Sequence, residues 1–230
     1  MPFFYYDELY IVLVLPALIF AMIAQVRVNS AFKKYSQIAN SRGMTGAEAA
    51  KMILRRCGIY DVTVEQIDGR LSDHYDPKNK VIRLSGNVYN SVSIAAVGIA
   101  AHEAGHAAQY AEGYSAIRVR NAIIPVSRIG SQLAMPLFFV GLLFSFPPFL
   151  WAGIIFFILA AVFQLITLPV EFNASARAFD MFGTLGILTM DETRQAKEVL
   201  SAAALTYVAA LVTTIAQITR LLLLSKRGRR

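Results

Sequence analysis

Long uncharged runs alternate with short polar ones along this chain. Residues 9–25 (LYIVLVLPALIFAMIAQ) carry no charge, and as a helix they come close to covering a hydrocarbon core of roughly 30 Å. A first membrane span is predicted there. Two further runs, 130–146 and 149–170, flank Pro147-Pro148, a pair that suits a tight turn between antiparallel spans. A fourth, 200–224, is Ala-rich and contains Thr206, Thr213, Thr214, Gln217 and Arg220. Its pattern fits a span, a helix packed inside a bundle, or a helix lying along the interface. Three to four transmembrane helices follow.

The polar stretch from about 27 to 118 is the one region able to fold in water, and it shows neither internal repeats nor low-complexity linkers. Thr45-Gly46-Ala47-Glu48 has the form of a capping box, and the helix it opens should end at Gly58. Residues 60–67 read as a strand followed by a turn at Asp68-Gly69. Residues 80–85 (KVIRLS) alternate polar and apolar, the mark of a half-buried strand. From about Ser91 a helix runs to Gly113. Its uncharged part, 92–101, measures about 15 Å, too short to cross a bilayer, so this helix should be buried in protein rather than in lipid.

Composition supports a membrane protein: 56% of residues are hydrophobic and the mean hydropathy is +0.51, above the range of ordinary soluble domains. The net charge of +7 raises the question of nucleic acid, but the cations gather at the ends of the apolar runs: Arg27, Lys33 and Lys34; Arg118, Arg120 and Arg128; Lys226, Arg227, Arg229 and Arg230. Membrane topology explains that placement, and no nucleic-acid partner is expected. Residues before the first span carry no Lys or Arg, and no small-residue cleavage site follows it, so an uncleaved anchor is favoured over a signal peptide. Asp7 and Glu8 before that span, and the cations after it, place 26–129 on the cytoplasmic side. A fourth complete span would carry the basic tail from Ser225 to Arg230 outward, against the same rule. The single Cys57 excludes an intrachain disulfide.

The chemistry concentrates in AAHEAGHAAQY, residues 100–110. On a helix, His102 and His106 lie one turn apart and can present both imidazoles to one cation. Glu103 occupies the adjoining strip of the same wall, where a carboxylate can deprotonate a metal-activated water without being a ligand. An accidental pair of helix histidines is the bland alternative, and a five-residue pattern with three fixed, uncommon residues weighs against it. Gly105, with Ala101, Ala107 and Ala108, leaves room for another helix to come close.

A catalytic zinc takes three protein ligands and a water. His74, the remaining histidine of three, sits in the polar turn DHYDPKNK, where a solvated role is the ordinary one. Glu171, in LPVEFNASARAFD just beyond Pro169, is a lone carboxylate at the end of an apolar run and has to find a partner. Capping the next helix would satisfy it as well as a metal would.

TGAEAAKMIL, DHYDPKNKVIRLS, AAHEAGHAAQY and LPVEFNASARA together resemble the successive blocks of the bacterial membrane zinc metallopeptidases typified by YugP, which pair HExxH with a later glutamate as glutamate-zincins do. The similarity covers nearly the whole chain. It implies one zinc ion held by His102, His106 and Glu171, Glu103 as the base, and a site in the bacterial plasma membrane. Many glutamate-zincins carry an aspartate four residues after the ligand glutamate to orient a metal histidine; this chain has Ser175 there, and Ser175 or Asn173 would take that role through a weaker, neutral hydrogen bond. The expected fold is mainly α, with a small α+β zincin-like portion in a multi-span membrane protein. Its divisions are an anchor at 1–26, a zincin-like catalytic portion at 27–129, a hairpin at 130–170, a helix bearing the third ligand at 171–199, and an apolar helix with a basic tail at 200–230.

Zinc-dependent hydrolysis of a peptide or membrane-protein substrate is the reading that follows. His74, Tyr75 and Arg177 are candidates to donate to the oxyanion, and the strand 80–85 is a candidate edge for an extended substrate. Two rivals remain: a site-2-type intramembrane protease, opposed by the short apolar run before His102 and by the lack of an aspartate in any later span, and a scaffold with a structural zinc.

Overall fold

The computed structural model describes residues 8–69 and 72–227; Asp7 and the tail residues Arg229 and Arg230, invoked for orientation, lie outside them. A π-helical turn, Tyr10–Val14, leads into α1 (Leu15–Tyr35). There follow α2 (Gly46–Arg56), β1 (Thr63–Ile67), β2 (His74–Asp76), β3 (Val81–Ser85), α3 (Gly86–Tyr89), α4 (Ile94–Ala111), α5 (Ser115–Leu143), α6 (Pro147–Leu185) and α7 (Met190–Arg227). Among the described residues, four helices are long and apolar enough to cross a membrane: those spanning Tyr10–Tyr35, Ser115–Leu143, Pro147–Leu185 and Met190–Ser225. The protein is thus mainly α, with four candidate spans and a small sheet.

The backbone groups into two compact units. One gathers the described residues of 1–24, 118–168 and 205–230. Its α5 and α6 approach backbone to backbone: a β-carbon on Gly153 would stand 2.6 Å from the Ala134 carbonyl oxygen, and one on Gly141 would collide with Leu150. Small residues let membrane helices pack this closely, because lipid offers no hydrophobic drive to hold them together. Phe138, Ile154 and Leu221 form the buried cluster beside that crossing. The turn falls at 144–146, one step before the position expected for it, with Ser145 at φ 50°. Pro147 and Pro148 instead open α6, where a missing N–H costs nothing because first-turn donors have no helical partner. Polar residues of the fourth run turn inward on their own helix: the Thr213 and Thr214 hydroxyls donate to the carbonyls of Ala209 and Ala210. Arg220 lies over the Tyr10 ring, 5.3 Å from its centre.

The other unit comprises 25–117 and 169–204. Both bonds of the Thr45–Glu48 capping box form, and α2 ends at Cys57 with Gly58 in the left-handed region at φ 70°, as a helix stop at glycine requires. Strand β1 starts at Thr63 rather than at residue 60, since Tyr60 is 82% exposed and anchors nothing. The sheet order is β1-β3-β2, β1 parallel and β2 antiparallel to β3. This corrects the expectation of a half-buried edge at 80–85. β3 is the central strand, paired on both sides, with only Arg83 part-exposed. Its polar residues alternate because their partners are internal: Asp73 accepts from the Ser85 N–H and hydroxyl, and Asp76 accepts from Arg83 at 2.7 Å.

α4 starts at Ile94 with Ser93 as its cap, its hydroxyl accepting from the Ala96 N–H. The helix is buried along most of its length, among Ile53, Leu54, Ile82, Leu84, Phe182 and Ile187, and is not one of the four helices fit to cross a membrane. α6 continues without a break through Pro169 to Leu185, and α7 is one helix across residue 200, so the divisions drawn at 170/171 and 199/200 fall inside helices.

Candidate metal centre

Two helices of this second unit build the centre. α4 supplies His102, Glu103 and His106, and α6 supplies Glu171, Asn173 and Ser175. Their approach depends on Gly105 and Ala174, whose backbones touch: a β-carbon on Gly105 would lie 2.5 Å from the Ala174 carbonyl oxygen.

The Nε2 atoms of His102 and His106 stand 3.3 and 3.6 Å from the same oxygen of Glu171, Oε2. The rings lie edge to face, 4.7 Å between centres, and one ligand atom from each of the three residues falls within 4.8 Å of the others. Zinc bonds of about 2.0–2.1 Å at tetrahedral angles put ligand atoms roughly 3.3–3.4 Å apart, so the observed spacings fit a zinc ion. Burial supports the same conclusion. Glu171 is 4% exposed, His106 9% and Glu103 8%, and carboxylates this deep need a counter-charge. Burial alone would hold the His106 ring neutral, yet Glu171 and Glu103 outweigh it and raise its pKa.

Each of the two imidazole rings is held from behind. His102 Nδ1 lies 3.0 Å from the Ser175 hydroxyl, and His106 Nδ1 lies 3.0 Å from Oε1 of Gln109. Outer contacts of this kind orient metal histidines. Asn173 touches neither ring; its Oδ1 accepts from the Gln109 amide at 2.9 Å and from Arg177 Nε at 2.8 Å. Glu103 is positioned by the neighbouring strand, where the Tyr75 N–H donates to its Oε2 at 2.8 Å.

The oxyanion candidates separate. Arg177 forks onto Glu112 with two bonds of 2.7 Å, so its charge is committed. His74 is exposed on β2, with Nδ1 2.7 Å from the Ser72 carbonyl, and lies outside the ligand group. The Tyr75 ring meets Tyr110 edge-on at 5.4 Å, and burial raises its phenol pKa. Three participants escaped the sequence reading: Gln109, Glu112 and the Tyr75 backbone. Gln109 had a signal, since it sits three residues after His106 on the same helix face. The Tyr75 N–H had none, because backbone donors carry no side-chain signature.

Known proteins resemble the chain along nearly its whole length. A family described as "Putative neutral zinc metallopeptidase" matches residues 10–226. "Putative membrane protease YugP" of Bacillus subtilis (strain 168) is 46% identical over 221 residues, covering 96% of this chain and 98% of the relative. No solved structure matches the chain.

Proposed function

Because the chain belongs to that family of neutral zinc metallopeptidases, we propose that it hydrolyses peptide bonds at the membrane, with His102, His106 and Glu171 as zinc ligands and Glu103 as general base. The observation that carries this reading is the convergence of two imidazole nitrogens on one Glu171 oxygen at 3.3 and 3.6 Å, with Glu103 on the same helix.

When bound, zinc supplies Lewis acidity, lowering the pKa of water toward neutrality and polarising a carbonyl. Glu103 takes the proton of the attacking water and hands it to the leaving amine. The Tyr75 N–H, donating to Oε2, fixes the position of that carboxylate. Ser175 and Gln109 hold the two rings, so the ligand nitrogens need not reorganise. With Arg177 engaged by Glu112, His74 and Tyr75 remain as donors to the oxyanion.

The Glu103→Gln variant in detergent tests this. Zinc content should match wild type while cleavage of casein or a membrane peptide falls by about 10²–10⁴-fold. Undiminished cleavage would remove Glu103 from the role. Zinc in both proteins with cleavage in neither would favour a structural zinc in a scaffold.

We further assign the site to the cytoplasmic side, on the strength of Arg27, Lys33 and Lys34 following the first span. Tyr60→Cys in a Cys57→Ser background should react with an impermeant maleimide only after cell lysis. Labelling in intact cells would reverse the topology.

A further inference from the structure

We infer that Gln109, Asn173 and Arg177 form a polarised chain that fixes which nitrogen of His106 carries the proton, making Gln109 a positioning residue for the metal centre. The inference rests on the zinc reading above, in which Gln109 holds the His106 ring, and adds what sets the ring's tautomer.

The argument starts at the group with one possible role. A guanidinium only donates, so the Asn173 atom 2.8 Å from Arg177 Nε must be its carbonyl oxygen. That oxygen also receives the Gln109 amide at 2.9 Å, and the Val170 carbonyl receives the same amide nitrogen at 2.8 Å. Both neighbours are acceptors, which assigns the NH₂ end of Gln109 to this side and uses both of its hydrogens. The other end, 3.0 Å from His106 Nδ1, is therefore an oxygen, and an oxygen there requires a hydrogen on Nδ1. In the neutral ring, Nε2 is then left with its lone pair directed at the Glu171 oxygen.

The other ligand ring lacks this control. Ser175 can donate to His102 Nδ1 or accept from it, so its hydroxyl orients the ring without choosing the tautomer. Gln109 is also 0% exposed, so water cannot substitute for a lost partner. Arg177 is itself held by Glu112 through two bonds, so the direction of the chain is set by an ion pair outside the ligand group.

The test uses the full-length chain in detergent with ¹⁵N-labelled histidine, which gives a spectrum of three side chains. In metal-stripped wild type at alkaline pH, His106 should carry its proton on Nδ1. Gln109→Leu should mix the two tautomers and weaken zinc binding, measured against a competing chelator, by about 10–100-fold. Asn173→Asp keeps an acceptor toward both Arg177 and Gln109 and should leave the His106 tautomer as in wild type. Asn173→Leu removes the acceptor and should shift both tautomer and affinity. If Gln109→Leu does not fold, the Asn173 pair decides. The inference is overturned if wild-type His106 carries its proton on Nε2, or if Gln109→Leu or Asn173→Leu changes neither readout. Wild type that shows the expected tautomer yet takes up no zinc would overturn the hydrolase reading while leaving the chain of hydrogen bonds intact.

Discussion

Gly105 lies flat against the backbone of Ala174, so close that one methyl group on its α-carbon would stand 2.5 Å from the Ala174 carbonyl oxygen. The contact sets the distance between the two helices that share the candidate metal ligands. Glu171 sits three residues before Ala174, and His102 and His106 bracket Gly105.

Gly105→Ala should therefore push α4 from α6, lowering stability by about 1–3 kcal/mol and lowering zinc affinity with it. Gly98 serves as the control on the same helix, because a β-carbon there meets the Ala196 side chain at 3.4 Å, an ordinary contact. Gly98→Ala should be neutral or stabilising by up to about 1 kcal/mol, from helix propensity. Thermal unfolding and zinc titration of both variants check the contrast; equal behaviour would dismiss the close approach as a determinant.

Glu171→Ala removes a ligand and leaves two imidazoles, a weak and flexible site. Zinc affinity should fall by more than about 100-fold, beyond the usual loss of an outer contact, and hydrolysis should vanish with the metal. Full metal occupancy of this variant would make His74 the third ligand.

Ser175→Ala leaves His102 Nδ1 without its neighbour and should weaken zinc binding by about tenfold. Ser175→Asp puts a charged acceptor in the same place and should bind at least as tightly as wild type, since a charged acceptor bonds more strongly than a hydroxyl. Chelator competition measures both, and tighter binding by the alanine variant would contradict the assignment.

The strand that positions Glu103 depends on Asp76. The Arg83 guanidinium, then the Asn79 side chain, hold the Asp76 carboxyl well below the usual carboxylate range. A folded pKa below the unfolded value of about 3.9 means that the ionised group stabilises the fold above that value and loses this contribution as pH falls through the folded pKa. Asp76→Asn should accordingly lower the unfolding temperature at neutral pH, and the gap from wild type should close in strong acid. It should also quicken hydrogen exchange at the Tyr75 amide, whose acceptor is Glu103. A gap that widens toward acid would refute the sign.

Much of this was legible because it follows local rules. Thr45 and Glu48 are three apart, so the capping box could be read directly, and His102, Glu103 and His106 share a helix whose face follows from spacing alone. The close approach at Gly105 was signalled by a run of small residues. β3 was misread for a physical reason: Arg83 and Ser85 look like a solvated face, but their partners, Asp76 and Asp73, lie on another segment. Pro147 and Pro148 suggest a turn because proline breaks helices, although it is equally at home in the first helical turn. The chain from Arg177 to His106 joins residues 71 positions apart and could not be seen before the helices were placed.

The three candidate ligands are also separated in time. A ribosome completes α4, with both imidazoles, well before it reaches Glu171 on α6. Until then the nascent chain holds only part of a metal site, and a product ending anywhere before that carboxylate should be inert toward its neighbours. Completion of the site would thus wait on synthesis of the helical hairpin, so that the cluster of His102, His106 and Glu171 exists only once the later helices do.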